Sequence, residues 1–190
     1  MAAPPSGPKV PAAPGQNKIQ CFEGGTGTCV LNSSGAKGSA TLTVTGATGD
    51  GDAGVYYLGY NDSIYNVPLA DVTQLSFNYT GTATGGAPRF SIPIDEDNNS
   101  ATNGGAGYGA GTEAFAFAGA ALCNNGAGTV DVIKDATCDI NYKGVDYPNW
   151  AAFAAAFPDA VISFGDYVFV IADEPGTWTV SNVIIGKPGK

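Results

Sequence analysis

The 190-residue chain holds seventeen Asp and Glu residues and no histidine. Histidine is the commonest general base, the commonest transition-metal ligand and the partner that activates Ser or Cys nucleophiles. Without it, catalysis would have to rest on carboxylates. A glycosidase needs two of them across a cleft, one with a raised pKa, and no pair is singled out by spacing. Asp173-Glu174 stands between a strand pattern and Pro175-Gly176, where a turn carboxylate is the ordinary explanation. The expectation is a non-catalytic protein with no catalytic residues.

Carboxylates can also hold a hard cation. Asp95-Glu96-Asp97-Asn98-Asn99-Ser100 follows the strand pattern RFSIPI and runs into Asn103-Gly104-Gly105. Oxygen donors on alternate residues, Asp95, Asp97 and Asn99, resemble the first half of a calcium loop. The sixth-position glycine and the distant bidentate Glu of an EF-hand are missing, so two readings stand: a Ca2+ site, which would be the chain's one cofactor, or a solvated acidic loop. Gly49-Asp50-Gly51-Asp52 reads as a turn first and a cation site second.

Sugar recognition asks for exposed aromatic rings flanked by amides and carboxylates. Tyr56, Tyr57, Tyr60 and Tyr65, near Asn61, Asp62 and Asn66, form the richest such cluster. On a strand Tyr56 and Tyr57 must face opposite ways, so one of them can point outward. The competing reading is that strand tyrosines pack in the core or between sheets.

Cys21, Cys29, Cys123 and Cys138 fall into two local pairs that bracket glycine-rich or turn-rich sequence. Of three possible connectivities, Cys21 with Cys29 and Cys123 with Cys138 is the simplest. Four buried free thiols are the alternative. A zinc site has neither CxxC nor histidine to build on.

The elements that must position these groups are strands. Twenty-eight glycines, twelve prolines and only 13% charged residues suit short strands and tight turns and leave few helix formers. Two-residue alternation marks SATLTVT at 39–45, VYYLGY at 55–60, QLSFNYT at 74–80 and RFSIPI at 89–94. Further strands are expected at 113–119, 129–133, 138–142, 160–164, 167–173 and 177–185, about ten in all. That number predicts an antiparallel two-sheet sandwich of jelly-roll type, because each sheet must bury one face. PNWAAFAAAFPDA is the exception: Trp150, Phe153 and Phe157 recur at helical spacing between Pro148 and Pro158, predicting one short helix near 148–158.

Residues 1–16 are proline-rich and should form an extended arm, either a linker or an arm lying on a neighbouring subunit. Residues 17–190 are expected to form a single sandwich domain. The formal charge of −9 and pI near 4.1 oppose nucleic-acid binding, since only eight scattered Lys and Arg face a phosphate backbone. No apolar run approaches the roughly 20 residues that span a bilayer, so no membrane insertion is expected. The N-terminus lacks the charged and apolar regions of a signal peptide. A mature exported form, or a product that leaves its cell without that signal, is expected.

Several segments, TQLSFNYTGTATGGAPRFSIPIDEDN, AFAFAGAALCN, DATCDI, YPNWAAFAAAFPDA and TWTVSNVIIG, together resemble uncharacterised exported bacterial proteins with a jelly-roll, galactose-binding-like or carbohydrate-binding-module-like sandwich. The likeness covers roughly 70–186. Where such modules commonly carry an acidic position in the last strand, this chain has Ser181-Asn182-Val183. The resemblance implies a fold and an extracellular setting more than a function. Two functions remain: a structural subunit of a virion or cell surface, assembling as a homo-oligomer or with other coat proteins, or a secreted glycan-binding module.

Overall fold

The computed structural model describes residues 18–33, 38–58, 64–83, 85–98, 114–123, 128–163 and 168–186. The expected arm at 1–16 lies outside the described residues. In chain order the strands are β1 (Lys18–Gly25), β2 (Gly27–Ser33), β3 (Ser39–Val44), β4 (Gly51–Leu58), β5 (Gln74–Thr80), β6 (Arg89–Asp95), β7 (Ala114–Gly119), β8 (Thr129–Asp131), β9 (Ile140–Tyr142), β10 (Val145–Tyr147), β11 (Val161–Ile162), β12 (Phe169–Ala172) and β13 (Gly176–Gly186). They form two antiparallel sheets. The larger runs β1-β4-β12-β6-β7-β9-β10, with β11 also on β6, and the smaller runs β2-β3-β13-β5-β8.

Alternation decides which side chains enter the core. On β5, Leu75 and Phe77 are buried while Ser76 and Asn78 are half-buried. On β4, Ala53, Val55 and Tyr57 point between the sheets and Tyr56 points out. Leu42, Phe90, Ile92, Val170, Trp178 and Val180 complete the interior, and Trp178 Nε1 donates to the Thr82 carbonyl at 2.9 Å. A buried indole keeps that polar group only when it is satisfied.

The helix α1 spans Trp150–Ala156, shorter than 148–158. Asn149 rather than Pro148 sets its start, because the Asn149 side chain accepts from the Ala152 N–H at 2.9 Å. Trp150 and Phe153 are buried, and Trp150 Nε1 donates to the Leu69 carbonyl at 2.9 Å. Phe153 and Phe157 stack against Tyr142 and Tyr147 of β9 and β10, all at 5.3–5.8 Å. The aromatic stripe is core packing.

Thirteen strands among the described residues exceed the expected ten. β1 and β2 hide in CFEGGTGTC, where glycines mask the strand pattern. Those glycines are needed for close backbone approach: a Cβ on Gly27 would collide with the Asp52 carbonyl, and one on Gly25 with the Asp50 carbonyl. The expected strand at 138–142 begins only at Ile140 and returns as β10, while that at 160–164 shortens to β11. β4 begins at Gly51 and ends at Leu58, ahead of the expected 55–60.

Candidate functional site

Cys21 bonds to Cys29 and Cys123 to Cys138, and no described cysteine is free. Cys21 sits on β1, an outermost strand of the large sheet, and Cys29 on β2, an outermost strand of the small one. The bond joins the two layers along one side of the sandwich. Cys123 follows β7 and Cys138 precedes β9, and the run between them carries β8 to the far side of the small sheet. Glu23 accepts the Cys29 N–H at 2.7 Å, which fixes the chain where it passes from one layer to the other.

The acidic segment divides. Asp95 ends β6 with its side chain buried, and its Oδ1 accepts the Asp97 N–H at 3.3 Å, an Asx-type turn. Asp97 is exposed, and Asn99 lies outside the described residues. Among the described residues no group of three or more Asp, Glu, Cys or His could hold a metal ion. Glu96 turns to a different set of partners: Tyr142 Oη donates to it at 2.9 Å and Lys143 Nζ at 2.6 Å. The Lys143 hydrogen bond foremost holds the Glu96 carboxyl below its usual value. Burial, then the Glu96 carboxylate, pushes the Tyr142 phenol up.

Tyr56 and Tyr57 take opposite faces, as alternation requires. Tyr57 is buried between the sheets, its hydroxyl donates to the Ile185 carbonyl of β13 at 3.5 Å, and burial raises its pKa. Tyr60, Asn61 and Asp62 lie outside the described residues; of the rest of the cluster, Tyr56 and Tyr57 take opposite faces, Tyr65 packs partly buried against the core with its hydroxyl accepting the Val168 N–H at 3.4 Å, and Asn66 is exposed.

Tyr56 joins a cluster that spacing along the chain did not reveal. On the outer face of the large sheet it meets Phe22 at 4.5 Å and Phe169 at 5.9 Å, while Phe115 lies 5.4 Å from Phe169. Register gathers them from four strands: Gly54 of β4 pairs with both Phe22 and Ile171, and Tyr56 pairs with Phe169. The Phe22 ring lies over Gly54, in the space a Cβ would take. Phe22 (8%), Tyr56 (8%), Phe169 (3%) and Ile171 (7%) are nearly closed to solvent.

Beside this cluster runs a polar strip. Arg89 holds Asp173 through both guanidinium nitrogens, Nη2 to Oδ2 at 2.6 Å, and stacks 5.1 Å from the Phe117 ring centre. Asp52 stands one residue beyond the Ala53–Ala172 pair, next to Asp173. Desolvation first, and the Asp173 charge second, raise its pKa. Asp52 and Asp173 would be the two carboxylates of an acid–base mechanism. Yet Asp173 is committed to Arg89, and the Asp52 Oδ2 is closed to solvent with no hydrogen-bond partner among the described residues. The strip is built as packing.

The exposed apolar side chains lie elsewhere. Val30 (60%) and Leu31 (43%) stand on β2, Val145 (52%) on β10 and Ile184 (44%) on β13. Three of these four are on outermost strands, at the sides of the sandwich.

These features define an all-β, antiparallel two-sheet module held by two disulfides, with no described helix long and apolar enough to cross a membrane. No protein-family model, curated protein or solved structure matches this chain.

Proposed function

We propose that the chain is a non-catalytic structural subunit of an outer surface, a virion coat or decoration protein or a cell-surface assembly protein. It packs sideways against copies of itself or other surface subunits. The observation that carries this is the placement of exposed Val30 and Leu31 on β2, an outermost strand with neither charge nor proline, where a solitary sandwich would carry one or the other. Two disulfides suit an oxidising, extracellular setting. The proline-rich residues 1–16 serve as a tie between neighbours.

A secreted glycan-binding module is the second reading, favoured by rings grouped with Arg89 and Asp173 on one sheet face. Sugar stacking needs an open ring face, and Phe22, Tyr56 and Phe169 are at most 8% exposed, which weighs against it. Sedimentation of the full chain over a concentration series separates the two. Mass rising to a defined oligomer supports assembly. A monomer at every concentration that is retained on insoluble polysaccharide overturns it in favour of glycan binding.

A further inference from the structure

The outward faces of the two sheets differ in kind. That of the large sheet carries the aromatic cluster and, beside it, Arg89 and Asp52. Among the described residues the five strands of the small sheet hold one charged residue, Asp131, and Lys134 pairs it at 3.0 Å, in a chain whose net charge is −9. The rings of these strands, Phe77, Tyr79 and Trp178, belong to the core side.

What the small sheet turns outward is hydroxyl and methyl. Alternation directs Ser39, Thr41 and Thr43 of β3 away from the core, and Thr177, Thr179 and Ser181 of β13 alongside them. They pair with no shift of register: Thr43 with Thr177, Thr41 with Thr179, Ser39 with Ser181. Thr28 lengthens the first row on β2, and Thr80 the second on β5. The strands lie about 4.8 Å apart and the rows about 6.8 Å apart, so the array repeats along two perpendicular axes. Its groups are held in advance. β-Branching stiffens each Thr side chain. The Thr41 and Thr179 hydroxyls meet at 3.4 Å, those of Thr43 and Thr177 at 3.3 Å, and Asn32 Nδ2 donates to Thr41 at 3.0 Å. A hydroxyl has one donor and two acceptor sites, so each such pair keeps capacity for water.

Nucleic acid asks for cations, a protein hot spot for aromatic or Arg anchors, and a sugar for open rings. This face offers none of the three. A neutral array with two fixed repeats matches a partner that is itself a neutral lattice, and the oxygen lattice of ice repeats on this scale. We propose that the outward face of the small sheet, centred on Thr41, Thr43, Thr177 and Thr179, binds the surface of ice. The hydroxyls stand in for lattice water and the methyl groups fill the gaps between them. Water bridging the face to the lattice is kept rather than expelled, so little desolvation opposes contact. This goes beyond the assembly reading and does not depend on it.

The test uses the full chain with two readouts: enrichment in slowly grown ice over the remaining liquid, and faceting of single ice crystals held just below the melting point. Two paired variants put charge into the array, Thr41→Lys with Thr179→Glu and Thr43→Lys with Thr177→Glu. Opposite charges facing each other across strands favour the sheet, so the fold is retained. Val145→Lys, on β10 of the other sheet, is the control. Wild type and control should enter ice and facet it, and both paired variants should be left in the liquid. Should circular dichroism show that a charged pair fails to fold, Thr41→Val with Thr179→Val, which keeps shape and strand preference, decides: undiminished faceting overturns the hydroxyl array. Wild type left in the liquid overturns the proposal, and folded charged variants that enter ice as wild type does overturn the face. Retention of wild type on insoluble polysaccharide, lost in the same variants and with no entry into ice, overturns ice as the occupant.

Discussion

Replacing Asp52 by Asn should stabilise this protein. Asp52 Oδ2 is closed to solvent and has no hydrogen-bond partner among the described residues, and the Asp173 carboxylate stands beside it on the next strand. A buried polar atom left unsatisfied costs about 1–3 kcal/mol and a charged one more; Asn still leaves an amide atom there and removes only the excess due to the charge. A like charge on the neighbouring strand adds up to about 1 kcal/mol. Asp52 is only half-buried and Arg89 neutralises much of Asp173, so the low end applies, about 1 kcal/mol in all. For a domain of this size that is a rise in Tm of about 2–4 °C. The pH dependence fixes the cause. A carboxyl whose folded pKa is raised above 3.8 binds its proton more tightly in the folded state. Its penalty is therefore full above the folded pKa and vanishes as pH falls below the unfolded one. Thermal unfolding of wild type and Asp52→Asn should differ most at neutral pH and least in acid. No gain at neutral pH, or a gain that persists unchanged in acid, refutes the reasoning.

Gly27→Ala should cost more than about 2 kcal/mol in urea unfolding, because its Cβ collides with the Asp52 carbonyl and both are backbone-fixed. Trp178→Ala empties a buried site and strands the Thr82 carbonyl, a loss of about 3–5 kcal/mol by the same measurement. Replacing Cys123 and Cys138 together by Ser should cost about 3 kcal/mol for a loop of this length, read as a lowered urea midpoint that reductant, acting on Cys21–Cys29 alone, shifts by less than it shifts the wild type. Lys143→Met should raise the Glu96 pKa, since the Lys143 hydrogen bond is the first cause of its depression. The stability that Glu96 contributes above its unfolded pKa would then disappear at a higher pH on acidification, which NMR titration of its carboxyl reads directly.

Strands whose side chains alternate cleanly were legible. QLSFNYT and RFSIPI gave β5 and β6 because each carries one unbroken apolar face. The helix was legible from Trp150, Phe153 and Phe157, and its true start at Trp150 required the Asn149 cap. β1 and β2 were not, since glycine is ordinarily a turn signal and here meets the demand of three backbones passing close together. The two disulfides could be read from local spacing, while the placement of Cys21–Cys29 between the layers could not, because it depends on which sheet each strand joins. The same limit hid the outer aromatic cluster and the Arg89–Asp173 pair. Phe22, Tyr56, Phe115 and Phe169 are scattered over about 150 positions, and cross-strand register alone makes them neighbours. Alternation separated Tyr56 from Tyr57 and left open which of them faced inward.

The Cys21–Cys29 bond also governs how the molecule bears a pull on its N-terminus. Among the described residues β1 pairs as a strand with β4 alone, so tension entering at Lys18 would unzip that ladder one rung at a time. After Lys18, Ile19 and Gln20 the peeling front meets Cys21, and the load passes through a covalent link into β2 and the other layer. Tugged through residues 1–17, the sandwich surrenders three rungs and then resists as one body.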